Sequence, residues 1–366
     1  MKVLCDRERL REGLALANSV IPVKSTRPSI ENVYLVATDE ALELVGTDLE
    51  VALRYKIDDV KVEDPGNALI PARVASDFVR DLTGETVTLE TRGEHCIITS
   101  GSDRCELVTV DPDEFPVVDR FGDDDAVSVQ GGNFSKLVGR TAFAAAKEQG
   151  RYAMHGILTQ VKDQRLEMVA TDGRRLAVSS VPLDISASAS HRAIVPTKGM
   201  QLFCRVLGDP LEQVKFLFGD GRVGLKTTQA EVFARLIDGE FPRYSAVIPD
   251  AGENVIEADA DLLARKLRLV ANVTSQDTRA VRLSFSDGHM QIFGKSTGYG
   301  EASAQLETTV KGDPDDVAFN PDYLMDGIKN CEADVVRLEY NERTSPGKFT
   351  LGENYVYVVM PITIDS

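Results

Sequence analysis

Thr171, Asp172, Gly173, Arg174 and Arg175 stand together in the stretch RLEMVATDGRRLAV, Arg165 to Val178. Two guanidinium groups beside a hydroxyl, a carboxylate and a glycine could grip a phosphate or a carboxylate. The same residues could also build a tight turn between strands, where Asp accepts backbone hydrogen bonds and Gly supplies a positive φ. The phosphate-loop reading fails on spacing, because no G-x-x-x-x-G-K-[ST] pattern is present. An acid–base site could be assembled at a domain interface from Asp172, Arg174, Arg175 and His155, and this is the enzyme reading of the chain. No motif supports it: His95, His155, His191 and His289 lack an H-x-x-x-H partner, and no G-x-S-x-G occurs. DPDEF, near residue 113, lacks the spaced oxygen ligands and following glycine of a calcium loop. Cys5, Cys96, Cys105, Cys204 and Cys331 form no C-x-x-C pair and read as buried free thiols. The expectation is no catalytic residue, no metal and no cofactor.

Elements must position the turn, and the chain is long enough for several. Its 366 residues suit two or three domains, and 43% hydrophobic residues allow packed cores. No apolar run reaches the roughly 18 residues of a membrane span, and MKVLCDRERLREG lacks a secretory signal's apolar stretch. A cytoplasmic protein is expected. The net charge of −17 argues against uniform nucleic-acid binding, yet an acidic exterior can coexist with one basic face.

The opening stretch recurs. ALELVGTDLEVAL begins at Ala41, RLEMVATDGRRLAV at Arg165 and HMQIFGKSTGYGEA at His289, a constant spacing of 124 residues. Each is an alternating run, a small polar turn and a second alternating run. ALIPARVASDFVRDL from Ala68, AIVPTKGMQLFCRVL from Ala193 and VAFNPDYLMDGIKN from Val317 each read as a strand, a proline and a helix. DRERLREGLALANSVI, NFSKLVGRTAFAAA and DLLARKLRLVANVT read as amphipathic helices capped by Asp6, Asn133 and Asp261. EFPVV, EFPRY and VMPIT close the units at Glu114, Glu240 and Val359. The repeat implies an α+β chain of three similar domains with antiparallel sheets, spanning 1–121, 126–249 and 255–366. Linkers are expected near 118–128 and 248–259. In this frame Thr47-Asp48 and Thr171-Asp172 occupy equivalent places, so the opening stretch is a hairpin turn, with Arg174 and Arg175 left over.

RYAMHG, VATDGRRLAV, GEFPRY, IPAR, VPTKG and the terminal YVYVVMPITI together resemble the bacterial sliding clamps, the beta subunits of DNA polymerase III, from MKV to the last strand. The resemblance implies a head-to-tail homodimer whose six domains close a ring around duplex DNA, with helices lining the hole and sheets outside. It implies a non-catalytic processivity factor that tethers the polymerase III alpha subunit, other polymerases and mismatch-repair proteins through short linear peptides, and that a clamp loader places on DNA. A heterologous contact gives a ring only when its rotation closes.

By resemblance, the partner peptide, which typically ends in an apolar-aromatic pair, enters a pocket formed by Met154, Thr171, Gly173, Arg174, Arg175, Leu176, Pro242, Val247, Val358, Met360, Pro361 and Ile362. Apolar members would form the socket, and Arg174 and Arg175 would stay at its rim to meet a peptide carbonyl or carboxylate. DNA contacts are expected from Lys24, Arg73 and Lys198 by motif, and from Arg27, Arg140 and Lys266 by helix or loop placement. A weakly basic lining holds the backbone without reading bases. The ring contact is expected to join Arg104–Val110 to the helix around Val270 and Val273. The chain departs from the family at Ser245 and Ala246, where a basic residue is common, at Arg174, where His is common, and in the terminal Asp365 and Ser366, and these departures bear on peptide preference. A further reading keeps the fold but makes it an interaction hub outside replication.

Overall fold

The computed structural model describes residues 1–363 except 119, 121, 123–125, 149, 184–190, 275–278 and 287. Asp365, Ser366 and the acidic linker residues Asp123–Asp125 therefore lie outside the described residues. Six α-helices are described: α1 (Arg7–Val20), α2 (Ala72–Asp81), α3 (Gly131–Thr141), α4 (Thr197–Arg205), α5 (Ala260–Ala271) and α6 (Pro321–Ile328). Asp6 caps α1 as expected, accepting from the Arg9 amide at 3.0 Å. Two caps differ from expectation. The cap of α5 is Asp259, whose Oδ1 accepts from Leu262 N at 2.7 Å, so Asp261 falls inside the first turn. Asn133 lies within α3, where the carbonyls of Glu212 and Pro210 satisfy the leading amides of Gly131 and Gly132 instead.

The chain forms two compact units, residues 1–132 with 198–236, and residues 133–197 with 237–366. The first unit holds a five-stranded and an eight-stranded antiparallel sheet, the second a nine-stranded and a four-stranded one. All three repeats of the opening stretch are hairpins: Leu42–Thr47 pairs with Val51–Ile57, Arg165–Thr171 with Arg175–Pro182, and His289–Ser296 with Gly300–Glu307. Both expected linkers run into strands. Ala126–Gln130 joins the eight-stranded sheet and Asn254–Asp259 the nine-stranded one, because their alternate apolar residues are buried there.

The two large sheets are built by the same splice. In the first unit, Val51–Ile57 pairs with Ala230–Arg235. In the second, Arg175–Pro182 pairs with Tyr355–Val359. Each splice therefore joins hairpins from successive repeats through main-chain hydrogen bonds. The segments that follow EFP are fastened onto equivalent glutamates. Glu43, 8% exposed, receives Arg54 Nη1 at 3.1 Å and Arg120 Nη2 at 2.5 and 2.6 Å, while Arg54 Nη2 donates to Val118 O at 2.8 Å. Glu167 instead accepts from the Tyr244 hydroxyl and from Gln160 Nε2, both at 2.7 Å. Burial, followed by the Glu167 contact, pushes the Tyr244 phenol above its ordinary range. Substituting Glu43→Ala leaves Arg54 without its carboxylate in a nearly dry site; a loss of about 3 kcal/mol is expected for a broken buried pair, read from urea unfolding of the full chain.

The thiols follow expectation only in part. Cys5 and Cys96 are buried, and burial pushes them up to about 12 and about 11. Cys105, Cys204 and Cys331 are only half-buried, a correction to the reading of five core thiols. Among the described residues no helix is long and apolar enough to cross a membrane.

Candidate peptide-binding site

All twelve residues expected around the peptide fall in the second unit. The turn at 171–175 is built by its own side chains. Thr171 Oγ1 accepts from Gly173 N at 3.1 Å and donates to Arg175 O at 2.7 Å. Asp172 Oδ1 accepts from the amides of Arg174 and Arg175 at 3.0 and 3.1 Å. Gly173 lies at φ +85°, a conformation that disfavours a β-carbon. The opening motif is thus a turn, as the repeat implied.

Beyond the turn, Leu176 faces Val358 across the splice, and the ladder runs one residue further through Met360 N, which donates to Arg174 O at 2.8 Å. That bond sets Met360 and Pro361 beside the turn, and Ile362 is held by its amide donating to Ala318 O at 2.8 Å. Leu176 and Val358, 3% and 2% exposed, share a cluster with Ala153, Leu158, Val169, Ile194 and Phe241. Tyr244, Ile248 and Val178 cover its side. Met154 follows Ala153 directly and is half-buried, as is Pro242 after Phe241. Val247, Met360 and Ile362 remain 48%, 40% and 36% exposed. The exposed Met360 thus stands two residues after Val358 of this buried cluster, and Val247 directly before Ile248 of its cover, and an apolar surface of this kind suits apolar side chains. Phe241, Tyr244 and Ile248 were not among the expected members; the apolar spacing of FPRYSAVI was the available signal.

The two arginines part company. Arg174 is exposed, and its guanidinium has no partner among the described residues. The Arg175 side chain is 9% exposed and bound on all sides: Nε to Asp172 Oδ2 at 3.0 Å, Nη1 to Asp326 Oδ2 at 2.7 Å and Nη2 to Phe143 O at 2.7 Å. The guanidinium carbon lies 4.3 Å from the Tyr323 ring centre and 5.4 Å from that of Phe143. Burial works against its charge, but the Asp326 hydrogen bond and Tyr357 outweigh that and raise its pKa. Arg175 is therefore an internal staple, because all three of its side-chain nitrogens are already hydrogen-bonded within the chain. The same contacts answer the enzyme reading. Both Asp172 oxygens are engaged by Arg174 and Arg175 rather than by His155, whose Nδ1 is buried with no hydrogen-bond partner among the described residues. No group of three His, Cys, Asp or Glu that could hold a metal occurs among the described residues.

The cations expected on DNA are unequal. Lys24 and Arg73 are exposed. Arg27 is exposed but donates to Glu114 O at 2.9 Å. Lys198 is exposed and ion-paired to Asp48. Lys266 is half-buried, and its neighbours Arg265 and Arg268 are more exposed. Arg140 is a correction. It is 3% exposed, pairs with Glu332 at 3.2 Å and lies 4.9 Å from the Tyr355 ring centre, so no phosphate can reach it. Val270 is likewise 0% exposed inside its own unit, while Val273 is half-buried.

Three family models match in succession: the N-terminal domain of the DNA polymerase III beta subunit over residues 1–119, its central domain over 128–243 and its C-terminal domain over 245–363. The chain is 29% identical to the beta sliding clamps of Pseudomonas putida and of Escherichia coli K12, each alignment covering all of both chains. It is similar to the crystal structure of a Pseudomonas aeruginosa sliding clamp bound to griselimycin, with 29% identity, full coverage of both chains and a TM-score of 0.94. A Bacillus subtilis DNA polymerase sliding clamp, at 23% identity and TM-score 0.95, shows the same fold over the full length of both chains.

Proposed function

This chain belongs to the DNA polymerase III beta subunit family, the non-catalytic sliding clamps that serve polymerases on DNA, and on that premise we propose how it closes around DNA and how it holds its clients. The ring reading rests on one observation, the repeated splice. Hairpins of successive repeats are joined at Val51–Ile57 with Ala230–Arg235 and at Arg175–Pro182 with Tyr355–Val359. The third equivalent pair consists of Gly300–Glu307 and Asp103–Val108, and each is the edge strand of its own sheet. An unpaired edge is a template for another strand. Two chains arranged head to tail satisfy both edges twice and close a homodimeric ring of three domains per chain, divided near 1–121, 126–249 and 255–366. Exposed apolar residues support this, since Val108 and Tyr299 at the edges and Leu269 on α5 are 64%, 76% and 55% exposed. The contact thus moves from Val270 to the strand edge, with Leu269 and Val273 beside it.

Duplex DNA passes through that ring and is held by Lys24, Arg27, Arg73, Lys198 and Lys266 through its phosphates, without base readout. Retention is topological, which reconciles DNA work with a net charge of −17. A clamp loader opens the ring, and the polymerase alpha subunit, other polymerases and mismatch-repair proteins dock by short peptides. Work on the replicating chromosome places the chain in the cytoplasm.

The socket around Leu176, Val358 and Met360 receives those peptides, with Thr171 and Gly173 shaping its wall, Pro361 and Ile362 its far side, and Arg174 at the rim. Met360→Asp puts a charge on an exposed apolar contact without touching the core. A loss of about 2 kcal/mol is expected, roughly thirtyfold in Kd, as for a hot-spot residue. Fluorescence anisotropy with a labelled decapeptide ending Leu-Phe reads it, and unchanged affinity would remove this socket as the docking site.

A further inference from the structure

The first unit repeats the hydrogen bonds of the turn at 171–175, with the same Thr-Asp pair and three different residues after it, Leu49, Glu50 and Val51. Thr47 Oγ1 donates to Val51 O at 2.8 Å and accepts from Leu49 N at 3.0 Å. Asp48 Oδ1 accepts from the amides of Glu50 and Val51 at 3.0 and 2.7 Å. Arg235 N donates to Glu50 O at 2.8 Å, as Met360 N does to Arg174 O. The place of Gly173 is taken by Leu49, at φ +76°. A leucine in the left-handed region is strained, and strain of this kind collects where a side chain has work to do. This side chain is 55% exposed, so core packing does not explain it. Val117, on the segment after EFP, is 91% exposed. Both line an open cavity of about 620 Å³, walled also by Ala52, Val118 and Phe233 and edged by Arg235.

We propose that this cavity is a second peptide-docking groove, which takes an extended segment bearing one large apolar side chain between Leu49 and Val117 and one carboxylate on Arg235. The polar part of the ligand follows from charge. Asp48, the acid of this turn, is taken by Lys198. Arg235 is exposed, and its guanidinium has no partner among the described residues. Glu50, its backbone neighbour, is exposed too and repels a second acid, so a single carboxylate beside the apolar residue is selected. The two sites of one chain consequently differ in preference, with Arg174 and Met360 at one and Glu50 and Arg235 at the other. The ligand class rests on the socket reading for Leu176 to Ile362; the groove itself rests on Leu49, Val117 and the cavity.

The test uses the full chain with methyl-labelled leucine and valine and N-acetyl-leucyl-phenylalanine as probe, followed by NMR titration. Two saturable sets of shifts are expected, one on Leu176 and Val358 and the other on Leu49 and Val117. Val117→Asp should weaken the second set at least tenfold and spare the first, and Met360→Asp should do the reverse. Arg235→Ala should weaken the second set about tenfold, and the C-terminal amide of the probe should lose the same factor on the wild type but none on that variant. Leu49→Gly should raise the melting temperature while weakening the second set, a combination that a purely structural leucine does not give. Saturation of the Leu176 set with no saturable shift at Leu49 and Val117, or shifts there that Val117→Asp leaves unchanged, would overturn the groove. A Leu49 set without a Leu176 set would overturn the socket reading alone.

Discussion

Replacing Arg175 by alanine is expected to destabilise the second unit by about 3–5 kcal/mol, the cost of removing one partner from a buried ion pair. The guanidinium is 9% exposed and shared by two carboxylates, one carbonyl and two aromatic rings. Its removal strands Asp172, 19% exposed, and leaves a gap under Tyr323. Lysine should rescue less than half, because an ammonium offers neither the planar fork nor the stacking face. Urea unfolding of the full chain measures the loss, and the decapeptide assay reports its consequence. Arg174 and Leu176 flank Arg175 in sequence, so peptide affinity should fall with it even though Arg175 does not reach the rim. A stability change under 1 kcal/mol would mean that these contacts are worth no more than a solvated surface pair.

The second large effect concerns the strand edge. Val108→Asp places a carboxylate on the edge strand Asp103–Val108 at a residue that is 64% exposed in the single chain. The fold of the single chain should tolerate it, with the far-ultraviolet circular dichroism unchanged, and melting should fall only by the stabilisation that the dimer contributes. A head-to-tail dimer has two copies of this contact, and burying an unpaired charge at each costs about 2–3 kcal/mol, so dimer affinity should fall by roughly three to four orders of magnitude. Sedimentation velocity would show monomer where the wild type shows dimer. A variant that remains dimeric would place the ring contact away from this edge.

The repeat made much of the fold legible. A constant 124-residue spacing located all three hairpins, and Asp6 announced the start of α1. The caps of α3 and α5 were misplaced because the capping groups are backbone carbonyls in one case and an aspartate two residues upstream in the other. Which edges splice was not legible at all. Val51–Ile57 and Ala230–Arg235 both alternate like strands, but alternation says nothing about the partner across a gap of more than 170 residues. The socket was legible only through family resemblance, since Leu176 and Val358 look like any core residues. The arginines were the hardest to place. Arg174 and Arg175 are neighbours of one type, and only Asp326 and Tyr323, distant in sequence, make one a staple and leave the other free. Arg140 reads as a basic residue on an acid-free helix, but Glu332 and Tyr355 fold over it.

Closure of the ring is tested most directly by retention on DNA as a function of topology. The chain is loaded onto nicked circular DNA by a clamp loader, the complex is isolated, and the DNA is then cut once. Persistence on the circle with release on linearisation is the predicted result, because nothing but topology holds a sliding ring in place. Equal retention on circular and linear DNA would mean that Lys24, Arg73 and their neighbours bind by ordinary contact, and would contradict encirclement.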